Sequence, residues 1–109
     1  MIARLAHEKK GEDIVLLDMS GIKTTLFDWF VIVSASSSRR LDAISTFIRE
    51  ALSKKKVHPI HTEGRRNPYW VLLDYGDVVV HVFHREIRDF YGLERLWSDA
   101  KMEHFRQDA

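Results

Sequence analysis

A chain of 109 residues with 45% hydrophobic content has material for one domain with a modest core. Its formal charge of +1 gives no global field to draw it onto DNA, RNA or an anionic membrane, and the absence of cysteine excludes disulfides and thiolate chemistry. No apolar run approaches the roughly eighteen residues of a membrane span, and the N-terminal MIARLAHEKK lacks a signal peptide's apolar centre, so a cytoplasmic domain without membrane partners is expected.

In chain order, Met1 to Lys10 places Ile2, Leu5 and Ala6 on one helical face, with Gly11 positioned to end the helix. Ile14–Leu17 is an apolar run suited to a strand buried on both faces, closed by Asp18 and a turn at Ser20-Gly21. Trp29–Val33 is a second such strand. Ala35-Ser36-Ser37-Ser38 is a polar break whose serines are candidate helix caps. From about Arg39 to Lys55, Leu41, Ile44, Phe47, Ile48, Ala51 and Leu52 form one apolar stripe, the mark of an amphipathic helix. Val57–Ile60 reads as a short edge strand interrupted by Pro59, and Thr62–Pro68 as a polar loop.

The centre of the chain is Tyr69 to Trp97. Its runs Trp70–Leu73 and Val78–Phe83 flank Asp74-Tyr75-Gly76-Asp77, the pattern of an antiparallel hairpin with Gly in a left-handed turn position. Arg85 to Leu93 then turns to helical spacing, with Ile87, Phe90, Tyr91 and Leu93 as apolar positions. Strand Trp29–Val33, the long helix and the strand at Val57 are expected to form a βαβ unit, to which the hairpin adds antiparallel strands. The predicted fold class is α/β (α+β): one mixed five-stranded sheet with helices mainly on one face, and a C-terminal tail from residue 99.

Signs of catalysis are weak. His58/His61 and His81/His84 have HxxH spacing, but in a strand residues i and i+3 point to opposite faces, and no carboxylate completes a zinc triad. Asp18, Asp28, Asp74 and Asp77 sit at strand ends, where a carboxylate cluster or ordinary turns and caps are the alternatives. A nucleotidyltransferase-like enzyme or nucleotide-binding protein would draw on Asp18, Asp28 and the Ser36–Ser38 turn, yet no Asp-x-Asp follows that turn. There is no G-x-S-x-G elbow and no glycine-rich phosphate loop. The basic pairs Arg39-Arg40 and Arg65-Arg66 and the run Lys54–Lys56 are offset by nearby acids, which favours a solvated surface over an RNA path.

The hairpin holds the other candidate. Alternation puts Trp70, Leu72 and Asp74 on one face with Val79, His81 and Phe83, and Val78, Val80 and Val82 on the other. The valine face suits packing on helices. The aromatic face has the mix of a docking surface, or else forms a second core layer beneath Leu93–Phe105.

The segment WVLLDYGDVVVHVFHREIRDFYGLERLW resembles the signature of the ribosomal silencing factor (Iojap-related) family. Asp13-Ile14 with Leu17-Asp18, Asp28–Ile32, Ser37-Ser38-Arg39 and Glu63-Gly64 agree with it, so the likeness spans about Ile2 to Trp97. Two departures are Trp29 in place of a usual Tyr and Ala35-Ser36-Ser37-Ser38 in place of Gly-x-Ser-Ser. The resemblance implies a sheet similar to that of nucleotidyltransferases, and a non-enzymatic protein without a cofactor. It further implies binding to the large ribosomal subunit through ribosomal protein L-fourteen, a steric block to small-subunit joining, repression of translation when nutrients run short, and in some members a homodimer. By position, Trp70 matches a family tryptophan expected in that interface. Leu72, Asp74, His81 and Phe83 join it through the face argument. Arg88, Tyr91, Glu94 and Trp97 are expected to be structural.

Overall fold

The structure, a computed structural model, describes residues 1–23, 25 and 27–106. Residues 107–109, the end of the predicted tail, lie outside the described residues. Helix α1 (Ile2–Glu8) precedes strands β1 (Glu12–Asp18) and β2 (Trp29–Ala35); helix α2 (Ser38–Ser53) follows. Strands β3 (His61–Glu63), β4 (Trp70–Asp74) and β5 (Val78–His84) come next, then helices α3 (Arg85–Tyr91) and α4 (Leu93–Leu96) and strand β6 (Lys101–His104). The six strands form one mixed sheet in the order β3-β4-β5-β2-β1-β6.

Three sequence expectations change here. The sheet has six strands rather than five, because the tail returns as β6, antiparallel to β1 with Leu17 opposite Met102. The parallel partner of β2 is β5, not a strand at Val57, so the crossover contains α2, β3 and β4 before it closes. Val57–Ile60 is not a strand: the Val57 amide bonds back to the Leu52 carbonyl at the end of α2, and Ile60 stands exposed. Strand pairing starts beyond Pro59, with His61 opposite Asp74.

The element starts follow local chemistry. Ser37 caps α2, its Oγ accepting from the Arg40 amide at 3.0 Å. Gly11 does not supply the left-handed turn after α1, which falls on Lys10 at φ 65°. It supplies room: a Cβ there would lie 2.7 Å from Cγ1 of Val33.

Each face of the sheet has its own core. On one, Ile14, Val31, Val33, Val71, Leu73, Val80 and Val82 pack against α1 and the α2 stripe of Leu41, Ile44, Ile48 and Leu52. This is the predicted valine face. On the other, Val15, Leu17, Met19, Phe30, Ile32, Val79 and Phe83 are buried beneath the loop after β1, through Ile22 and Phe27, and beneath Leu93 and Trp97. Trp70 and Leu72 are only partly covered at its β4 side.

Candidate docking face

Strands β4 and β5 pair in the expected register, Trp70 opposite Phe83, Leu72 opposite His81 and Asp74 opposite Val79. The five predicted contact residues therefore lie together on one face, but at different depths. Phe83 is fully buried and His81 is 4% exposed, whereas Trp70, Leu72 and Asp74 are half-buried. A partner arriving on this face meets the strand β4 side chains first, with His81 and Phe83 as the layer beneath. The face thus has a core layer at its centre and a partly open rim along β4.

Several local devices set Trp70. In the loop before it, the Asn67 side chain accepts from the Tyr69 amide at 2.8 Å, and Ser38 Oγ donates to the Pro68 carbonyl at 3.0 Å. Gly64, at φ +76°, lets the β3–β4 connection pass close to Trp70, since a Cβ there would fall 2.2 Å from the Trp70 carbonyl oxygen. The indole stacks on Phe83 with ring centroids 5.0 Å apart and lies 4.5 Å from Tyr91. Its Nε1–H donates to Nδ1 of His81 at 3.3 Å. Asp74 is committed in part to the turn, where its Oδ1 accepts from the Gly76 amide at 2.8 Å.

Helix α3 extends the face in a way that hydropathy alone misses. Of its apolar positions, Phe90 is 81% exposed and Tyr91 39%, while the residue buried from this helix is Arg88. The Arg88 guanidinium pairs with both carboxylate oxygens of Glu94, at 2.9 and 3.2 Å, and also donates to Ser34 Oγ at 2.8 Å and to the Asp13 carbonyl. This pins α3, and α4 beyond the left-handed Gly92, onto β1 and β2. The helix is thereby turned with its aromatics outward, so that Trp70, Tyr91 and Phe90 form a continuous aromatic row. Trp97 packs on the same core with its ring edge-on to Phe30, 5.9 Å away. An arginine inside and a phenylalanine outside is the informative inversion, because large exposed apolar groups in a row mark contact surfaces. The sequence signal for it is Glu94 six residues after Arg88, a partner able to accompany a buried guanidinium.

Asp18, Asp28, Asp74 and Asp77 fall at one end of the sheet, but the serine turn weighed with them lies at the other. Asp28 precedes β2 and Ser36 follows it, a separation of about 25 Å at about 3.3 Å per residue. Asp18 accepts from both the Oγ and the amide of Ser20, bonds that hold its carboxyl below the usual range. It thus serves the turn. Among the described residues no three His, Asp or Glu are placed to hold a metal ion. His61 pairs with Glu63, and His84 caps α3 by accepting from the Glu86 amide. A cavity of about 490 Å³ opens on the helix side between Leu16, Val31, Leu52 and Phe105, where Asp77 is the one carboxylate among the described residues.

What the hairpin face offers is apolar contact area on a rigid sheet, the make-up of a docking module. Over residues 1–109 the chain matches the family described as ribosomal silencing factor during starvation. It is 40% identical over 100 residues to the ribosomal silencing factor RsfS of Bacillus subtilis, covering 92% of this chain and 84% of that one. The chain belongs to the ribosomal silencing factor family. A crystal structure of a protein from Chromobacterium violaceum superposes with a TM-score of 0.84 at 32% identity, covering 99% of this chain and 89% of the other. The chloroplastic protein Iojap of Zea mays is 37% identical over 100 residues, which is 91% of this chain and 42% of that one. A mouse protein named for mitochondrial assembly of the ribosomal large subunit is 28% identical over 101 residues, 90% of this chain and 44% of its own.

Proposed function

We propose that this protein binds the large ribosomal subunit in the cytoplasm and, by occupying ground needed for the small subunit, blocks their joining and represses translation under nutrient limitation. It acts without a cofactor or a catalytic step. The contact is ribosomal protein L-fourteen, met by the β4 rim and α3: Trp70, Leu72 and Asp74 with Tyr91 and Phe90, supported from beneath by His81 and Phe83. The observation that carries this reading is the exposed aromatic row on a helix whose arginine is buried. Half-buried aromatics seated on a rigid sheet lose little freedom on binding and act as anchors. Away from the ribosome the same row is expected to meet a second copy, giving a homodimer.

The test is subunit joining. Purified large subunits preincubated with the protein and mixed with small subunits should yield fewer joined ribosomes on a sedimentation gradient as the dose rises. Trp70→Ala should abolish the effect while leaving the fold intact, with binding weakened by more than about 1 kcal/mol, roughly fivefold. Undiminished joining, with no protein travelling with the large subunit, would sink the proposal.

A further inference from the structure

We infer that His81 is a positioning residue for the docking face: its Nδ1 selects one orientation of the Trp70 indole and withdraws the indole N–H from the surface. The partner chemistry at Trp70 is then an apolar side chain rather than a hydrogen-bond acceptor. This rests on the docking reading above and adds to it what orients the anchor and what the anchor recognises.

Trp70 is held by stacking and by one polar contact. The indole lies against Phe83 at 5.0 Å with 24° between the planes, and against Tyr91 at 4.5 Å. Stacking restrains the plane of the indole and places its apolar area, but it offers the indole N–H no acceptor. A flip about the Cβ–Cγ bond would exchange the sides of Nε1 and of the six-membered ring. The polar contact that favours the observed orientation is the bond from Nε1 to His81 Nδ1 at 3.3 Å. An indole nitrogen can only donate, so His81 must accept through Nδ1 and, when neutral, hold its proton on Nε2.

His81 has few other polar contacts. It is 4% exposed, edge-on to the Phe30 ring at 5.0 Å, and its Nε2 has no hydrogen-bond partner among the described residues. A buried nitrogen left without a partner costs stability, and leucine or phenylalanine would suit the surrounding core of Phe30, Phe83 and Val79 better. What the imidazole does that those side chains do not is accept from Trp70. Burial also depresses its pKa to about 4, so the ring stays a neutral acceptor at physiological pH.

The experiment compares His81→Leu, His81→Asn and Trp70→Ala for thermal unfolding and for affinity to purified large subunits in a sedimentation titration. The Trp70 indole proton is followed by NMR in parallel. Asn places its Oδ1 close to where Nδ1 lies and restores the acceptor; Leu fills the space without one. His81→Leu is expected to unfold cooperatively yet bind at least fivefold more weakly, with the Trp70 indole resonance displaced, and His81→Asn to recover most of both. In the wild-type protein the Trp70 indole proton should exchange with water slowly, a readout that stands even where His81→Leu does not fold. Wild-type affinity in His81→Leu, failure of His81→Asn to improve on it, or exchange as fast as for an open indole would overturn the inference. If Trp70→Ala loses binding while His81→Leu keeps it, the positioning role alone fails. If Trp70→Ala binds normally, the docking reading fails and takes the positioning role with it.

Discussion

The two sides of the sheet handle their helices in opposite ways. On the α2 side, most of the stripe visible in the sequence is buried: Leu41, Ile44, Ile48 and Leu52 are within the core, while Phe47 and Ala51 are half-buried at its edge. On the α3 side the order is reversed, with Arg88 inside and Phe90 outside. Helix α2 has sixteen residues, enough to bury a full apolar face and be stabilised by it. Helix α3 has seven and is held instead by one guanidinium that reaches β1, β2 and α4. The lesson is that agreement between pattern and burial identifies core, and inversion exposes apolar surface that the fold itself does not use.

The largest effects should come from the buried side chains on the two sides of the sheet. Replacing Arg88 with Ala leaves the Glu94 carboxylate half-buried without its partner and Ser34 Oγ without its donor, with an expected loss of about 3–5 kcal/mol in urea unfolding. A loss below about 1 kcal/mol would mean that α3 is held by something else. Phe83→Ala and Ile44→Ala remove fully buried side chains from opposite cores, each at a cost of about 2–5 kcal/mol. They separate the faces by function: after adjusting for the folded fraction, Phe83→Ala alone should weaken subunit binding, because Trp70 and Tyr91 rest on it.

Acid gives the next effect. Burial lowers the His81 pKa from 6.5 to about 4. The unfolded chain takes up this proton as pH falls through 6.5, whereas the folded chain resists until near 4. The contribution is therefore complete above pH 6.5 and lost progressively between 6.5 and 4, by about 3 kcal/mol. Chemical denaturation at stepped pH should show this slope in the wild type and a shallower one in His81→Asn. Equal slopes in the two proteins would assign the acid sensitivity to other groups.

The smallest change in stability should accompany Phe90→Ala. At 81% exposure the side chain contributes little to the fold, so unfolding should shift by no more than about 0.5 kcal/mol. Large-subunit affinity should nonetheless fall. A stability loss above about 2 kcal/mol would return Phe90 to the core and remove the contrast between α2 and α3.

The hairpin face itself was partly legible. Alternation along β4 and β5 was enough to bring Trp70, Leu72, Asp74, His81 and Phe83 to one side, because strand period is a local property. Depth was not legible. Whether Phe83 is rim or floor depends on Tyr91 and on Trp70, and the position of Tyr91 depends in turn on Arg88. The exposure of Phe90 was not legible either, because apolar spacing on a short helix does not say which side chain is buried.

By itself the sequence determined what neighbours in the chain decide: the hairpin and its turn at Gly76, the cap at Ser37, the stripe of α2 and the apolar strands. The tertiary structure decided which strands meet. Partner β5 rather than a nearer strand lies against β2, and the tail returns to β1 as a sixth strand. Arg88 finds Ser34 across 54 positions and the Asp13 carbonyl across 75. The physical reason is one of range: periodicity and turn chemistry act over a few residues. Pairing at long separation is chosen by the whole sheet, through which edges remain open and which buried polar groups find partners.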